Sequence, residues 1–153
     1  MNDSDKSVPR VLDLMTDDPI VITPELSVVK VLALMREAAI RHLPVVDEDG
    51  IMGMLSRRDL NFIHGVPGVF EGVKDEDLEE ILEAPVGVVL KSRSLVDRDV
   101  IALDRDDELK KAVDLFVSTS VGALPVIDED GEVVGILSAI DVLRWVADDV
   151  LGE

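Results

Sequence analysis

The chain repeats itself, and that duplication limits its fold more than any other feature. Leu43-Pro44-Val45-Val46-Asp47-Glu48-Asp49-Gly50 returns as Leu124-Pro125-Val126-Ile127-Asp128-Glu129-Asp130-Gly131, with seven of the eight positions identical at an offset of 81. Gly53-Met54-Leu55-Ser56 and Asp59 return as Gly135-Ile136-Leu137-Ser138 and Asp141 at an offset of 82. One extra residue therefore falls between the turn and the strand that follows it. Upstream, Val28, Val31, Leu32 and Met35 correspond to Leu109, Ala112, Val113 and Phe116. Three matches in the same order mark a duplicated structural unit. A copy of roughly 55 residues makes only a marginal core. The pattern therefore predicts one globular unit in which two copies bury like faces against each other with pseudo-two-fold symmetry.

Each copy reads as β-α-β-β-α, an α/β (α+β) arrangement. Ile20-Val21-Ile22 and Val100-Ile101-Ala102-Leu103 are short apolar runs that predict short buried strands. A stretch with apolar residues at i, i+3, i+4 and i+7 follows each, predicting a helix; in the first copy Thr23-Pro24 has the chemistry of its start. Leu43–Asp47 and Ile51–Ser56 predict two strands joined through Glu48-Asp49-Gly50, and a second amphipathic helix is expected from about Ser56. The predicted organisation is a first repeat over 8–64, a connector over 65–91 and a second repeat over 92–150. Within the connector, Gly65-Val66-Pro67-Gly68 is loop chemistry, and Asp75–Ala84 predicts a short acidic helix ended by Pro85.

Composition removes several classes of function. Acidic residues number 33 against 15 basic ones, a net charge of −18 in 153 residues. Such a chain repels nucleic acid and anionic membranes, which require a basic patch. With no Cys there is no disulfide framework, thiol nucleophile or thiolate metal site, and two His make a histidine-rich centre improbable. The longest uncharged stretch, Leu115 to Ile127, has 13 residues, short of the roughly 20 that span a bilayer. The opening residues Met1–Lys6 are polar and acidic, unlike a secretory signal, so a soluble, acidic, cytoplasmic protein is expected. Asp outnumbers Glu by 21 to 12, which also fits a high-salt cytoplasm; full stability at low ionic strength would exclude that reading.

No nucleophile triad, G-x-x-x-x-G-K-[ST] loop or G-x-G-x-x-G turn is present, so the chain is not expected to be an enzyme. What remains is a twice-used Gly-x-x-Ser-x-x-Asp: Gly53, Ser56, Asp59 and Gly135, Ser138, Asp141. In both, a strand ends and a helix begins at the Ser. Two roles fit. The Ser hydroxyl and the Asp three residues on can form a capping box. The same geometry leaves outward amides suited to a phosphate and an Asp able to accept two bonds from a ribose diol. Arg57 and Arg58 add positive charge there, and Arg41-His42 precede the Leu-Pro-Val strand, where they could also meet a phosphate. The second copy has Gly122-Ala123 and Ala139-Ile140 at those positions. If both copies bind, the first should prefer a phosphorylated ligand and the second a less charged one.

Asp17-Asp18-Pro19-Ile20-Val21-Ile22-Thr23, the Leu-Pro-Val-[VI]-Asp-Glu-Asp-Gly strand and turn, and Gly-x-x-Ser-x-x-Asp together resemble the CBS domain family, as a tandem pair or Bateman module. The resemblance covers nearly the whole chain. It implies two clefts between the paired repeats for adenosine derivatives: AMP, ADP, ATP or S-adenosylmethionine. Mg²⁺ could accompany ATP, and no cofactor is required. It places ribose on Asp59 and Asp141, phosphate near Ser56, Arg58, Arg41 and His42, and adenine against Ile20, Val21 and Ile22 or Ile101 and Ala102. Thr23, Leu43, Pro44 and Arg57 complete the first implied site, and Asp104, Ala123, Leu124, Pro125, Ser138 and Ile140 the second. Asp104 stands where the first copy has Thr23, and an acid there repels phosphate. The family also implies a disc-like homodimer. The expected function is a stand-alone regulatory module that binds an adenine nucleotide and signals to a separate effector protein. The alternative is a dimerisation scaffold with non-functional clefts.

Overall fold

A computed structural model describes residues 7–64, 75–92, 96 and 100–152. Its elements in chain order are α1 (Val11–Leu14), β1 (Thr16–Asp17), α2 (Val28–Glu37), β2 (His42–Asp47), β3 (Gly50–Ser56), a 3-10 helix (Arg57–His64), α3 (Asp75–Glu83) and α4 (Val86–Ser92). There follow β4 (Leu103–Asp104), α5 (Leu109–Thr119), β5 (Ala123–Ile127), β6 (Val133–Ser138), α6 (Ala139–Trp145) and a π-helical turn (Val146–Val150). The architecture is mixed α/β. It divides into two compact units: a central one, residues 20–100, and a terminal one made of residues 1–19 and 101–153.

The two hairpins show how closely the copies agree. In the central unit β2 and β3 pair antiparallel, with Leu43 opposite Leu55 and the register shifting between Val45 and Val46. In the terminal unit β5 and β6 pair likewise, with Leu124 opposite Leu137 and the shift between Val126 and Ile127. Both turns open with an Asx bond: the Asp49 amide donates to Asp47 Oδ1, and the Asp130 amide to Asp128 Oδ1, each at 2.9 Å. Gly50 (φ +105°) and Gly131 (φ +80°) take backbone angles that side chains disfavour. The extra residue expected in the second copy lies in its turn. Val46 pairs with Ile51, whereas Ile127 pairs with Val133, and Glu132 is accommodated by accepting the Asp128 amide at 2.9 Å.

Several predicted elements are shorter or begin elsewhere. Ile20-Val21-Ile22 is not a buried strand: Ile22 alone makes a parallel bridge, to Val45, while Ile20 and Val21 are each 39% exposed. Of Val100–Leu103 only Leu103 enters a strand, β4, parallel to β5. The first helix does not start at Thr23-Pro24. Ser27 caps it, its Oγ accepting the Lys30 amide at 3.4 Å. Residues 23–26 instead serve as backbone partners for the start of α4: the Val86 amide donates to Leu26 O at 2.8 Å and the Gly87 amide to Pro24 O at 2.9 Å. The helix expected after Ser56 is a 3-10 helix, whereas after Ser138 it is α-helical. Pro85 does follow the acidic helix α3, but the connector goes on to form α4, which composition did not predict.

The terminal unit repeats that bonding with the chain's first residues. The Val11 amide donates to Asp107 O at 3.0 Å and the Leu12 amide to Arg105 O at 2.9 Å. By the offset of 81, Asp107 and Arg105 correspond to Leu26 and Pro24. Arg10 bridges Glu108 as Pro85 bridges Ser27. The stretch leading into each copy therefore packs on the other copy's hairpin, and the compact units do not coincide with the sequence repeats. The cores reflect this. Val86, Val89 and Leu90 join Val28, Val31, Leu43 and Leu55 in the central core. Val11 joins Leu103, Leu109, Leu124 and Leu137 in the terminal one. No polar or charged residue among those described is buried. Each fully buried Leu or Val contributes about 1.5–3 kcal/mol by leaving water.

Candidate functional sites at two capping boxes

In the central unit the hairpin brings its basic residues to one end. His42, at the start of β2, lies opposite Ser56, at the end of β3. The Arg57 amide donates to Arg41 O at 2.7 Å, tying the turn after β3 to the residue before β2. The Ser56 amide donates to Asp59 Oδ2 at 2.7 Å, and the Asp59 amide to Ser56 Oγ at 3.2 Å, so the capping box closes in both directions. The other carboxylate oxygen of Asp59 accepts no hydrogen bond among the described residues. Arg41, Arg57 and Arg58 are exposed, and among the described residues none of them forms an ion pair. Three guanidinium groups at one end of a hairpin, paired with no described carboxylate in a chain of charge −18, are an anion-attracting constellation.

His42 is half-buried. Burial lowers its pKa from the ordinary 6.5 by disfavouring the imidazolium; Asp59 pulls the other way and Arg41 reinforces the lowering, and the net direction is down. The ring is thus held towards its neutral form beside a carboxylate and a guanidinium, where an arriving anion favours its protonation.

In the terminal unit the same frame carries different chemistry. The Ser138 amide donates to Asp141 Oδ2 at 2.9 Å, the Asp141 amide to Ser138 Oγ at 3.1 Å, and the Ala139 amide to Gly122 O at 3.0 Å. Ala123 sits opposite Ser138, where the central unit has His42 opposite Ser56. No basic residue occupies the positions of Arg41, His42, Arg57 or Arg58. A cation does stand near the box, Arg144, whose Nη1 lies 3.8 Å from Asp141 Oδ1 across one turn of α6. Asp104 is exposed, at the place of Thr23, and its amide donates to Asp107 Oδ2 at 2.8 Å. Burial tends to raise the Asp107 pKa, but the bonds from Lys111 and the Asp104 amide outweigh it and leave it lowered.

The other residues nominated from sequence divide by burial. Ile20, Val21 and Ile101 present exposed apolar surface, and Ile140 is exposed on α6. Ile22, Leu43, Leu124 and Ala123 are core side chains, and Pro44 and Pro125 are buried. Any contact from these six to a ligand passes through backbone atoms. Ala102 is half-buried and Thr23 exposed.

Sequence reasoning did not find a groove of about 850 Å³ in the central unit, lined by Val21, Thr23, Pro24, Glu25, Val46–Asp49, Met52, Pro85, Gly87, Val88 and Lys91. It shares only Val21 and Thr23 with the nominated residues and includes none of Arg41, His42, Ser56–Asp59. The signal for it was absent locally, because its far wall is α4.

The sequence profile of the CBS domain matches residues 11–62 and 93–148. Among similar proteins is MJ1225 of Methanocaldococcus jannaschii, 33% identical over 135 residues, covering 88% of this chain and 46% of that protein. The chain thus spans about half the length of that curated relative. The crystal structure of MJ1225 superposes with a TM-score of 0.71 at 30% identity, over 90% of this chain and 48% of that one. The structure of CBSX2 in complex with AMP superposes with a TM-score of 0.66 at 26% identity, over 90% and 96%. The CBS domain pair of MJ0100, solved with 5'-methylthioadenosine and S-adenosyl-L-methionine, shares the fold at 19% identity with a TM-score of 0.69, over 92% and 97%. Two profile matches across most of the sequence, on a fold shared with solved CBS pairs, place this chain in the CBS domain family as a tandem pair.

Proposed function

We propose that this protein is a non-catalytic regulatory module of the cytoplasm that binds adenosine-containing ligands at its capping boxes and passes the signal to a separate effector protein. The observation that carries the reading is the pair of Ser-x-x-Asp boxes with one carboxylate oxygen left over, in Asp59 bonded by no described residue and in Asp141 only loosely approached by Arg144. A carboxylate oxygen that accepts no hydrogen bond from a described residue suits a ribose diol. Exposed Ile20, Val21 and Ile101 offer apolar surface for a purine. The complex of CBSX2 with AMP supports the ligand class.

The two boxes select different ligands. Arg41, Arg57, Arg58 and His42 in the central unit favour a phosphorylated nucleotide, such as AMP, ADP or ATP with or without Mg²⁺. The terminal unit has no basic residue in those places and has Asp104 instead, so it favours an adenosine derivative without phosphate, with cationic S-adenosylmethionine the best match in charge. Signalling is a population shift, limited by the ligand's differential affinity for two arrangements of the protein. A homodimer is supported by the exposed apolar stripe of Ile140, Leu143 and Val150, spaced three and seven residues apart along α6 and the π-helical turn.

Calorimetric titration with AMP, ATP and S-adenosylmethionine tests the reading, repeated with Arg57→Gln/Arg58→Gln. Weakened AMP binding with unchanged S-adenosylmethionine binding is the expected result. No heat from any of the three at millimolar concentration leaves the scaffold alternative, a dimerising module with empty boxes.

A further inference from the structure

The groove of the central unit includes no residue of the capping box, shares only Val21 and Thr23 with the nominated nucleotide residues, and calls for a different occupant. Its volume of about 850 Å³ is within the range of roughly 300–1,000 Å³ usual for ligand-accepting pockets. Val21, Val46, Met52 and Val88 give it an apolar lining, and Glu25, Glu48 and Asp49 stand exposed along its edge. The terminal unit holds an arginine at the corresponding edge through a backbone carbonyl. There the loop Arg105–Asp107 corresponds to Pro24–Leu26, and Arg10, which corresponds to Pro85, lays its guanidinium on that loop, Nη1 donating to Asp106 O at 2.6 Å. Asp106 corresponds to Glu25. Both arginine positions of the terminal unit, 10 and 105, are prolines in the central one. The central loop therefore keeps the acid and lacks the two arginines its counterpart carries, while Lys91 is the one cation among the residues lining the groove.

We propose that this groove docks an arginine-bearing, otherwise apolar peptide segment of a second protein, whose guanidinium groups take the place that Arg10 occupies in the terminal unit. Apolar side chains of the segment cover Val46 and Val88, and its arginines meet Glu25 and Glu48. Net charge favours this occupant, since a chain of −18 attracts a basic partner and repels an acidic one. The proposal does not rest on nucleotide binding.

The test is fluorescence anisotropy with a labelled synthetic peptide in which arginine alternates with leucine, beside one with glutamate in place of arginine. Saturable binding of the first and none of the second is expected. Glu25→Gln/Glu48→Gln should weaken binding roughly five- to tenfold, and Val88→Ser several-fold. Both alter exposed side chains, and an unchanged Tm of each variant shows that the fold is kept. Glu129→Gln/Asp130→Asn removes the same charge from the corresponding turn of the terminal unit and should change binding less than about twofold. Equal weakening by the two double variants would reduce the effect to bulk charge and overturn the proposal. So would an absence of saturable binding, or amide shifts at Val88 and Lys91 on adding AMP alone.

Discussion

Replacing Asp59 by Ala separates the structural role of the box from its role in recognition, because the carboxylate serves both through different oxygens. Oδ2 holds the Ser56 amide at 2.7 Å. Losing half of a reciprocal cap costs about 1 kcal/mol, which for a chain of this size lowers Tm by about 2–4 °C. The ribose role is larger. Two diol hydroxyls donating to a carboxylate make charge-assisted bonds, each worth about 1.5–3 kcal/mol and so about 3–6 kcal/mol together, which lowers AMP affinity by about two to four orders of magnitude. Asp141→Ala is the matched control, since Asp141 Oδ2 holds the Ser138 amide at 2.9 Å and should give a similar fall in Tm. Thermal unfolding and AMP calorimetry of both variants give four readings. The expected pattern is two similar Tm losses and a loss of AMP affinity confined to Asp59→Ala. If both variants lose stability and neither loses AMP affinity, the boxes are caps alone and the recognition argument fails.

Three other perturbations follow from the geometry. A Cβ on Gly87 would lie 2.7 Å from Pro24 Cβ and 3.2 Å from Pro24 O, a clash of about 1–3 kcal/mol. It should exceed the roughly 1 kcal/mol that Ala gains over Gly in a helix, so Gly87→Ala should unfold at lower urea than the parent; a raised midpoint would show that the crossing yields. The His42 pKa is lowered from 6.5 by burial, so the folded state binds that proton less tightly than the unfolded one. The stability it contributes is complete above pH 6.5 and is lost as pH falls through the window below it. His42→Gln should flatten the urea midpoint against pH there, and an unchanged slope would count against the burial argument. Leu143→Glu, on the exposed stripe of α6, should turn a dimer into a monomer in sedimentation velocity without lowering Tm of the monomer; a dimer that persists places the interface elsewhere.

What could be read from the residues was whatever is decided locally. The hairpins follow from alternating strands around Asp-Glu-Asp-Gly, and each turn carries the Asx bond and positive-φ glycine that this chemistry favours. The Ser-x-x-Asp boxes are decided within four residues, and both close. Reading failed where a distant segment decides. The helix expected from Thr23-Pro24 starts after Ser27 instead, because residues 24 and 26 give their carbonyls to Gly87 and Val86. The stretch Val86–Ser92 is rich in β-branched residues and reads as connector, yet it is helical with Val86, Val89 and Leu90 in the core. Ile20 and Val21 looked like a buried strand from hydrophobicity alone; only Ile22 finds a neighbouring strand. Of the candidate site, the charged positions were legible, whereas the groove was not, because α4 forms one of its walls.

The trading of lead-in stretches also bears on how such a chain could arise. Val11 is fully buried in a cluster made mostly of residues numbered above 100, and Val86 and Leu90 in one made mostly of residues numbered below 61. A gene holding one copy would encode a stretch with no berth on its own hairpin and a hairpin with an open flank. Two such molecules could close only by lending that stretch to each other, at an expense set by how dilute they are. Joining the copies end to end keeps the lender permanently at hand, at an effective concentration in the millimolar range for a short tether.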